Sequence, residues 1–259
     1  MEAHVIKLLD EKFHFFNHER FIEHDPILIP HQFTRKQDIE IMGFWVATLA
    51  WGQRKTILSK GFELIDLMDG SPFEFIQQHQ ESDLKRFESF KHRTFNATDA
   101  LYFISFFKRH YQQYESLESA FCKEFQEAET TVEQAINRFY LHFFDDAFAP
   151  QRTQKHIAAP AKNSACKRIN MFLRWMVRKD KTGVDFGIWN EIKPHQLVCP
   201  LDVHVLRTAE SLRLIQAGPT NWKKALALTE TLRALDPSDP VKYDFALYGI
   251  GIEEKTIWK

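Results

Sequence analysis

The fold is decided by the stretch IEIMGFWVATLAW, residues 39–51. This stretch is apolar almost all round, which is typical of a helix that is buried on every side. The chain has 259 residues but only 9 glycines and 10 prolines, so we expect few turns and long helices. Its 24 phenylalanines supply large apolar areas for a core. Because alternating strand patterns are absent from the sequence, we predict an all-α fold.

Apolar spacing and helix-breaking residues predict further helices on both sides of this stretch. Thr34 or Asp38 is expected to cap the central helix, which ends near Trp51. Ser164 is a candidate cap for the helix ACKRINMFLRWMVR, residues 165–178. The other helices are expected at residues 2–19, 54–69, 72–78, 98–113, 116–127, 130–146, from 201 onward, 221–235 and 240–248.

Charge and cysteine content limit the possible functions. The formal net charge is −1, so a nucleic-acid role has to depend on a local basic surface. Residues 152–182 contain nine lysines or arginines and one acid, which suits a phosphate backbone and equally a solvated helix face. The three cysteines form no CxxC pair, which excludes a disulfide framework and a four-cysteine metal or iron–sulfur site. Without a signal-peptide core or a membrane-spanning apolar run, we expect a cytoplasmic protein that does not bind membranes.

Lys167 and Asp202 are the candidate catalytic residues. Lys167 falls in the first turn of its helix, where the helix dipole and the neighbouring Arg168 both disfavour a positive charge. Both effects favour the neutral amine that a nucleophile requires, although, taken alone, an ordinary surface lysine is the better explanation of the residue. Asp202 stands directly before an apolar-periodic helix, so an N-cap role alone also explains it. His204 is expected to pack against its surroundings.

Three segments carry a resemblance to a known superfamily. They are FWVATLAWGQRKTI (44–57), SACKRINMFLRWM (164–176) and PLDVHVLRTAESL (200–212). In this order they resemble helix-hairpin-helix DNA glycosylases of the 8-oxoguanine and endonuclease-III-like branches. Lys167 matches the Schiff-base lysine of those enzymes, Asp202 matches the catalytic aspartate, and Gln53 matches the residue that fills the gap left by the flipped base. The same signatures also resemble an uncharacterised bacterial family over most of the chain.

The resemblance implies an architecture of two helical lobes with a DNA-binding cleft between them. One lobe comprises residues 38–145 and carries the wedge Gln53. The other comprises residues 1–37 and 146–259 and carries the hairpin, Lys167 and Asp202. The implied enzyme is a monomer in the bacterial nucleoid.

The implied activity is that of a bifunctional DNA glycosylase and AP lyase. It excises an oxidised base, similar to 8-oxoguanine, from duplex DNA through a lysine Schiff base, without a metal or an organic cofactor. Aromatic residues expected to stack on the flipped base are Trp222, Phe245 and Tyr248, for which a core position is the alternative. Residues expected to bind DNA are Gln53, Arg54, Lys55, Lys162, Asn163, Ser164, Arg168 and Arg174.

One departure from the superfamily affects how DNA is held. The usual hairpin reads L-P-G-V-G-x-K, whereas residues 158–167 read AAPAKNSACK and contain no glycine. Glycine permits positive φ and a close backbone approach to phosphate, so we expect this hairpin to hold DNA differently. The 35-residue gap between Lys167 and Asp202 resembles the archaeal 8-oxoguanine glycosylase branch.

Three alternatives to this assignment stay open. The first two are a non-catalytic nucleic-acid-binding protein on the same scaffold and a helical protein-interaction module. The third keeps the glycosylase mechanism but makes Lys162 the nucleophile, because the hairpin alignment can shift by one short loop.

Overall fold

A computed structural model of the chain describes residues 2–123 and 129–257. These residues are mostly helical, which confirms that the fold is predominantly α-helical, as predicted. They also contain a small antiparallel hairpin, β1 (Lys91–His92) and β2 (Phe95–Asn96), which the sequence pattern did not predict. The helices are α1 (Ala3–Phe16), α2 (Lys36–Leu49), α3 (Arg54–Leu67), α4 (Pro72–Gln78), α5 (Glu81–Leu84), α6 (Ala97–Tyr111), α7 (Ser119–Cys122), α8 (Glu133–Phe143), α9 (Lys167–Val177), α10 (Val203–Ser211), α11 (Trp222–Arg233) and α12 (Asp244–Ile257).

The chain forms two compact units. The first, called the Lys167 unit, consists of Met1–Phe21, Gln126–Gln134 and Ala159–Lys259. The second, called the Gln53 unit, consists of Ile22–Phe125 and Ala135–Ala158. The predicted lobes, 38–145 and 1–37 with 146–259, describe a DNA-binding architecture and stay a prediction.

The core of the Gln53 unit forms around α2, whose residues 38–49 are all buried. Phe44 packs edge-on against Phe139 of α8, with their ring centroids 5.2 Å apart. The predicted caps of this helix are wrong, because it begins at Lys36 and the cap position is occupied by Arg35. Asp38 instead lies in the first turn, where its carboxylate accepts a hydrogen bond of 2.7 Å from the amide of Phe73. Asp38 therefore ties the first turn of α2 to α4.

The predicted helix at 116–127 is also wrong over most of its described length. Only Ser119–Cys122 are α-helical there, and residues 124–127 of the prediction lie outside the described residues. The fully buried carboxylate of Glu40 accepts hydrogen bonds from the amide of Leu117 (3.0 Å) and from the hydroxyl of Ser116. These bonds hold the segment before α7 in a non-helical conformation.

The Lys167 unit is built around α9, α10 and α12. Gly249 of α12 lies against α1, and a β-carbon at this position would be 2.0 Å from the ring of Phe16. Only glycine therefore allows α1 and α12 to approach so closely. α9 contributes nine buried residues, from Ile169 to Val177, to the same core. None of the helices in the described part of the chain has the length and apolarity that a membrane crossing requires.

Candidate functional site

Lys167 and Asp202 lie together in the Lys167 unit. Lys167 is the first residue of α9, and Asp202 is the N-cap of α10, as the sequence predicts. One carboxylate oxygen of Asp202, Oδ1, accepts hydrogen bonds from the amides of His204 (2.8 Å) and Val205 (3.0 Å). Its other oxygen, Oδ2, lies 4.0 Å from Nζ of Lys167. The cap therefore fixes the carboxylate while leaving one oxygen directed at the amine.

The surroundings of this pair combine solvent access with apolar surface. The side chains of Lys167 and Asp202 are 30% and 33% exposed, so a ligand can reach both. Nζ of Lys167 lies 3.7 Å from the sulfur of Met171, one turn further along α9. Val203, directly after the cap, is 52% exposed. His204 is exposed as well, so the prediction that it packs is wrong. The sequence pattern had not indicated Met171 or Val203 as site residues.

A buried ion-pair network lies behind this site. Arg174 donates hydrogen bonds to Asp185 (3.2 Å) and Asp244 (2.5 Å) and is only 4% exposed. Burial raises the pKa of Asp244 to about 6, although the positive charges of Arg174 and Lys167 oppose the rise. The negative charge of Asp202 raises the same pKa further. Asp244 is thus ionised at pH 7 and electrostatically coupled to both members of the candidate pair.

This network corrects the predicted role of Arg174. The sequence pattern placed Arg174 on a basic, DNA-facing side of α9, but its guanidinium is buried, paired with two carboxylates and 4.2 Å from the ring centroid of Phe245. It is therefore not a phosphate contact in this structure. Arg168 is half-buried, and its desolvation lowers the pKa of the guanidinium. Among the predicted phosphate contacts of this unit, Lys162 and Asn163 are the exposed ones.

The predicted hairpin, residues 158–167, makes its turns without glycine. Asn163 (φ 54°) and Cys166 (φ 53°) both adopt the left-handed conformation. Asparagine tolerates this conformation well, whereas cysteine is rarely found in it, so the backbone at Cys166 is strained. Cys166 also occupies the cap position of α9, which corrects the prediction for Ser164. The hydroxyl of Ser164 instead accepts a 3.2 Å hydrogen bond from the amide of Cys166.

The three aromatic residues predicted to stack on a base differ in exposure. Trp222 is 5% exposed and Phe245 is fully buried, so both belong to the core and neither presents a ring face to a ligand. Tyr248 is half-buried and lies edge-on to Phe21, with the ring centroids 5.8 Å apart. Of the three, only Tyr248 has exposed surface for stacking.

Gln53 stands at the tip of a separate loop, in the Gln53 unit. It precedes α3 in extended conformation, is exposed, and makes no capping bond with its side chain. Gly52 before it has φ of +103°, a conformation that favours glycine. Arg54 and Lys55 follow in the first turn of α3, and both are exposed. An exposed amide and two cations therefore share one helix start, which is a suitable surface for an anionic backbone.

The β1–β2 hairpin supports this loop and adds a basic residue that the sequence pattern missed. Arg93, at the turn of the hairpin, is exposed and lies 5.6 Å from the ring centroid of Trp51. A β-carbon on Gly52 would be 3.0 Å from its guanidinium. His92 donates a 3.1 Å hydrogen bond to the carbonyl of Trp51, and burial lowers the pKa of its ring. A turn such as HRT gives no periodic signal, so only the fold brings Arg93 to Gln53.

No group of three or more His, Cys, Asp or Glu residues in the described ranges, 2–123 and 129–257, is arranged to hold a metal ion. The arrangement at Lys167 can nevertheless support amine chemistry. An accessible primary amine can attack an electrophilic carbon and form an imine, and a fixed carboxylate beside it can stabilise the positive charge that develops.

Comparison with known proteins gives a family. A model for a family described as "Protein of unknown function (DUF2400)" matches residues 25–253. No curated protein and no solved structure matches the chain. The matched range covers most of the sequence and includes Gln53, Lys167 and Asp202, so the chain belongs to the DUF2400 family.

Proposed function

We propose that this protein is a DNA repair glycosylase with AP lyase activity, which excises an oxidised base from duplex DNA. One observation carries the proposal: Nζ of Lys167 lies 4.0 Å from a carboxylate oxygen of Asp202. The other oxygen of that carboxylate is held by two backbone amides, and both side chains are about one-third exposed.

The chemistry follows from these groups. The neutral amine of Lys167 attacks C1′ of a flipped deoxyribose, and the damaged base leaves with the electron pair of the glycosidic bond. Asp202, ionised and held by amides, stabilises the positive charge that develops on the sugar. Ring opening gives the imine between Lys167 and C1′. Loss of a proton from C2′ then expels the 3′ phosphate and nicks the strand.

Two surfaces would bind the nucleic acid. In the Lys167 unit, the exposed Lys162 and Asn163 of the glycine-free hairpin are suited to a phosphate backbone. In the Gln53 unit, Gln53 would fill the gap left by the flipped nucleotide, with Arg54, Lys55 and Arg93 on adjoining phosphates. Tyr248 is the remaining candidate for stacking on the extruded base.

The direct test is borohydride trapping on a panel of duplexes that contain different damaged bases. We expect wild-type protein to form a covalent adduct with at least one duplex, and Lys167→Gln to form none while it still binds that duplex. Lys181→Gln, an exposed lysine of the same basic stretch, is the matched control and should trap normally. Salt-dependent binding of every duplex without trapping would instead favour the non-catalytic nucleic-acid-binding protein. Binding that does not weaken with salt, or no binding, would favour a protein-interaction module.

A further inference from the structure

A second cluster of titratable groups lies in the Gln53 unit, where α7, α8 and the segment that follows α6 border a cavity of about 480 Å³. We call it the His142 cavity. Its size is in the range of small-molecule sites. Its lining includes Tyr114, Ser119, Lys123, Arg138, His142 and Phe144.

The protonation state of His142 follows from a chain of hydrogen bonds. His110 is almost fully buried, and its Nε2 lies 3.0 Å from the carbonyl oxygen of Ser116. A carbonyl can only accept, so Nε2 of His110 donates and its Nδ1 is the acceptor. Nδ1 of His110 lies 3.1 Å from Nε2 of His142, which must therefore donate. This leaves Nδ1 of His142 as an acceptor on a ring that lines the cavity.

Burial, assisted by nearby positive charges at His142, lowers the pKa of both rings and favours their neutral forms. Burial lowers the pKa of His110 to about 4. Burial also lowers the pKa of His142, and the positive charges of Arg109 and Lys123 lower it further, against the opposing effect of Asp145. Among the described residues, the titratable and charged groups around His142 are His110 and Arg109 from α6, Tyr114 after α6, Lys123 after α7, Arg138 from α8 and Asp145 after α8.

Two cations complete the polar lining. Lys123 is exposed at the edge of the cavity. The guanidinium of Arg138 is oriented by a 3.2 Å hydrogen bond from its Nε to the carbonyl of Phe121. Apolar surface of Leu141 and Phe144 adjoins these groups. The lining thus offers two positive charges, one neutral acceptor nitrogen and a place for an organic group.

We propose that the His142 cavity binds a phosphomonoester, whose oxygens pair with Lys123 and Arg138 and share one proton with Nδ1 of His142. The proton is required because an oxygen lone pair of the phosphate would otherwise face the lone pair of Nδ1. A phosphomonoester can supply this proton, since its second pKa is near 6. A sulfate ester has the same shape but carries no proton at neutral pH, so it lacks this bond. The site is independent of the glycosylase proposal.

The proton gives the binding a pH signature. Above about pH 7 the free ester is a dianion and His142 is neutral, so binding takes up one proton from solvent. The affinity should then fall by about tenfold for each further pH unit. Phenyl phosphate and phenyl sulfate are the probes, titrated by calorimetry into the full chain between pH 6 and pH 9. We expect this slope for phenyl phosphate and weak, pH-independent binding of phenyl sulfate.

Substitutions in the cavity separate the contribution of positive charge to phosphate binding from that of the shared proton. Lys123→Gln should weaken phenyl phosphate binding by about tenfold, the loss expected for one charge-assisted hydrogen bond. Lys85→Gln, an exposed lysine of the same unit, should leave it unchanged. His142→Phe removes the acceptor nitrogen from the cavity, so the dianion should bind without taking up a proton and the pH slope should disappear. Equal binding of both esters with the same pH profile, equal effects of the two lysine variants, or no saturable binding of phenyl phosphate would each overturn the proposal.

The phosphate can belong to a free small molecule or to the end of a nucleic acid strand. Comparing a nucleoside 5′-monophosphate with a 5′-phosphorylated oligonucleotide, and with the same oligonucleotide lacking the phosphate, distinguishes these sources. Tighter binding of the mononucleotide indicates a free metabolite. If the oligonucleotide binds more tightly than the mononucleotide, and does so only when it carries the 5′ phosphate, the site binds the end of a nucleic acid strand.

Discussion

The two ends of α9 carry positive charges in opposite surroundings. At its start, Lys167 is 30% exposed and its nitrogen lies 4.0 Å from a single carboxylate. Two turns later, Arg174 is 4% exposed and paired with both Asp185 and Asp244. A buried, doubly paired cation stabilises the fold and has no freedom to react, whereas a loosely paired one contributes little stability and is available for chemistry. Both residues are cations, so it is their surroundings that distinguish the candidate site at Lys167 from the structural ion pairs of Arg174.

The largest expected change in the free energy of unfolding comes from a substitution at the buried end of α9. Arg174→Met leaves the carboxylate of Asp244 buried without its cation and leaves Asp185 paired with Arg178 alone, so we expect the free energy of unfolding to fall by about 3–5 kcal/mol. Lys167→Gln is the matched comparison and should change it by no more than about 0.5 kcal/mol. Urea denaturation measures both. If Arg174→Met lowered the free energy of unfolding by less than Lys167→Gln does, the assignment of Arg174 as the stabilising cation would be contradicted.

A second buried cluster, in the Gln53 unit, extends the comparison to pH. Burial raises the pKa of Asp99, but hydrogen bonds from His156, Asn96 and Thr153 outweigh burial and lower it to about 2. A carboxyl group with a lowered pKa stabilises the fold above its unfolded value near 4, and this contribution is lost as the pH falls towards 2. The stability advantage of wild type over Asp99→Asn should shrink by about 2 kcal/mol between pH 5 and pH 2. Parallel stability curves for the two proteins would show that the carboxylate is not held in this way.

Next to the exposed start of α9, two substitutions of Asp202 should separate its contribution to stability from its contribution to catalysis. Asparagine caps a helix nearly as well as aspartate, whereas Asp202→Ala should lower the free energy of unfolding by about 1 kcal/mol. Asparagine carries no charge, so on a duplex that wild type cleaves, Asp202→Asn should reduce base excision by roughly 10²–10³-fold at an almost unchanged melting temperature. If excision falls only in proportion to stability across the two variants, the carboxylate is a cap and nothing more.

The smallest stability effects are expected at the Gln53 loop, which lies outside both ion-pair regions. Gln53→Ala and Arg93→Gln alter exposed side chains, so each should change the free energy of unfolding by less than about 0.5 kcal/mol. Both should weaken binding to a duplex with an abasic site, and Arg93→Gln should also reduce the salt dependence of binding by about one counterion. Lys85→Gln serves as the control on the same unit. Unchanged affinity in both variants would remove this loop from the DNA-binding surface.

The sequence predicted those features that depend on local pattern. The apolar stretch 39–51 identified the buried helix α2, and the position of Asp202 identified its cap. Features that depend on residues distant in sequence were missed. Arg174 resembles any basic residue of an exposed helix face until Asp185 and Asp244 are brought to it by folding.

Two other misses have local but unusual causes. The strands β1 and β2 are two residues long each, too short for an alternating pattern. The hairpin before α9 uses left-handed Asn163 and Cys166, whereas sequence reasoning expects positive φ only where glycine occurs. The start of α9 consequently lies two residues later than Ala165, where the pattern had placed it.

The most direct test of the central claim identifies the lysine that bears the adduct. Wild-type protein is trapped with borohydride on the duplex that it cleaves best, digested, and analysed by peptide mass mapping. The account predicts that the reduced sugar adduct is attached to Lys167 and that Lys167→Gln yields no adduct, whereas Lys162→Gln is trapped as wild type. An adduct on Lys162, or one that persists in Lys167→Gln, would contradict the assignment of the nucleophile to the start of α9.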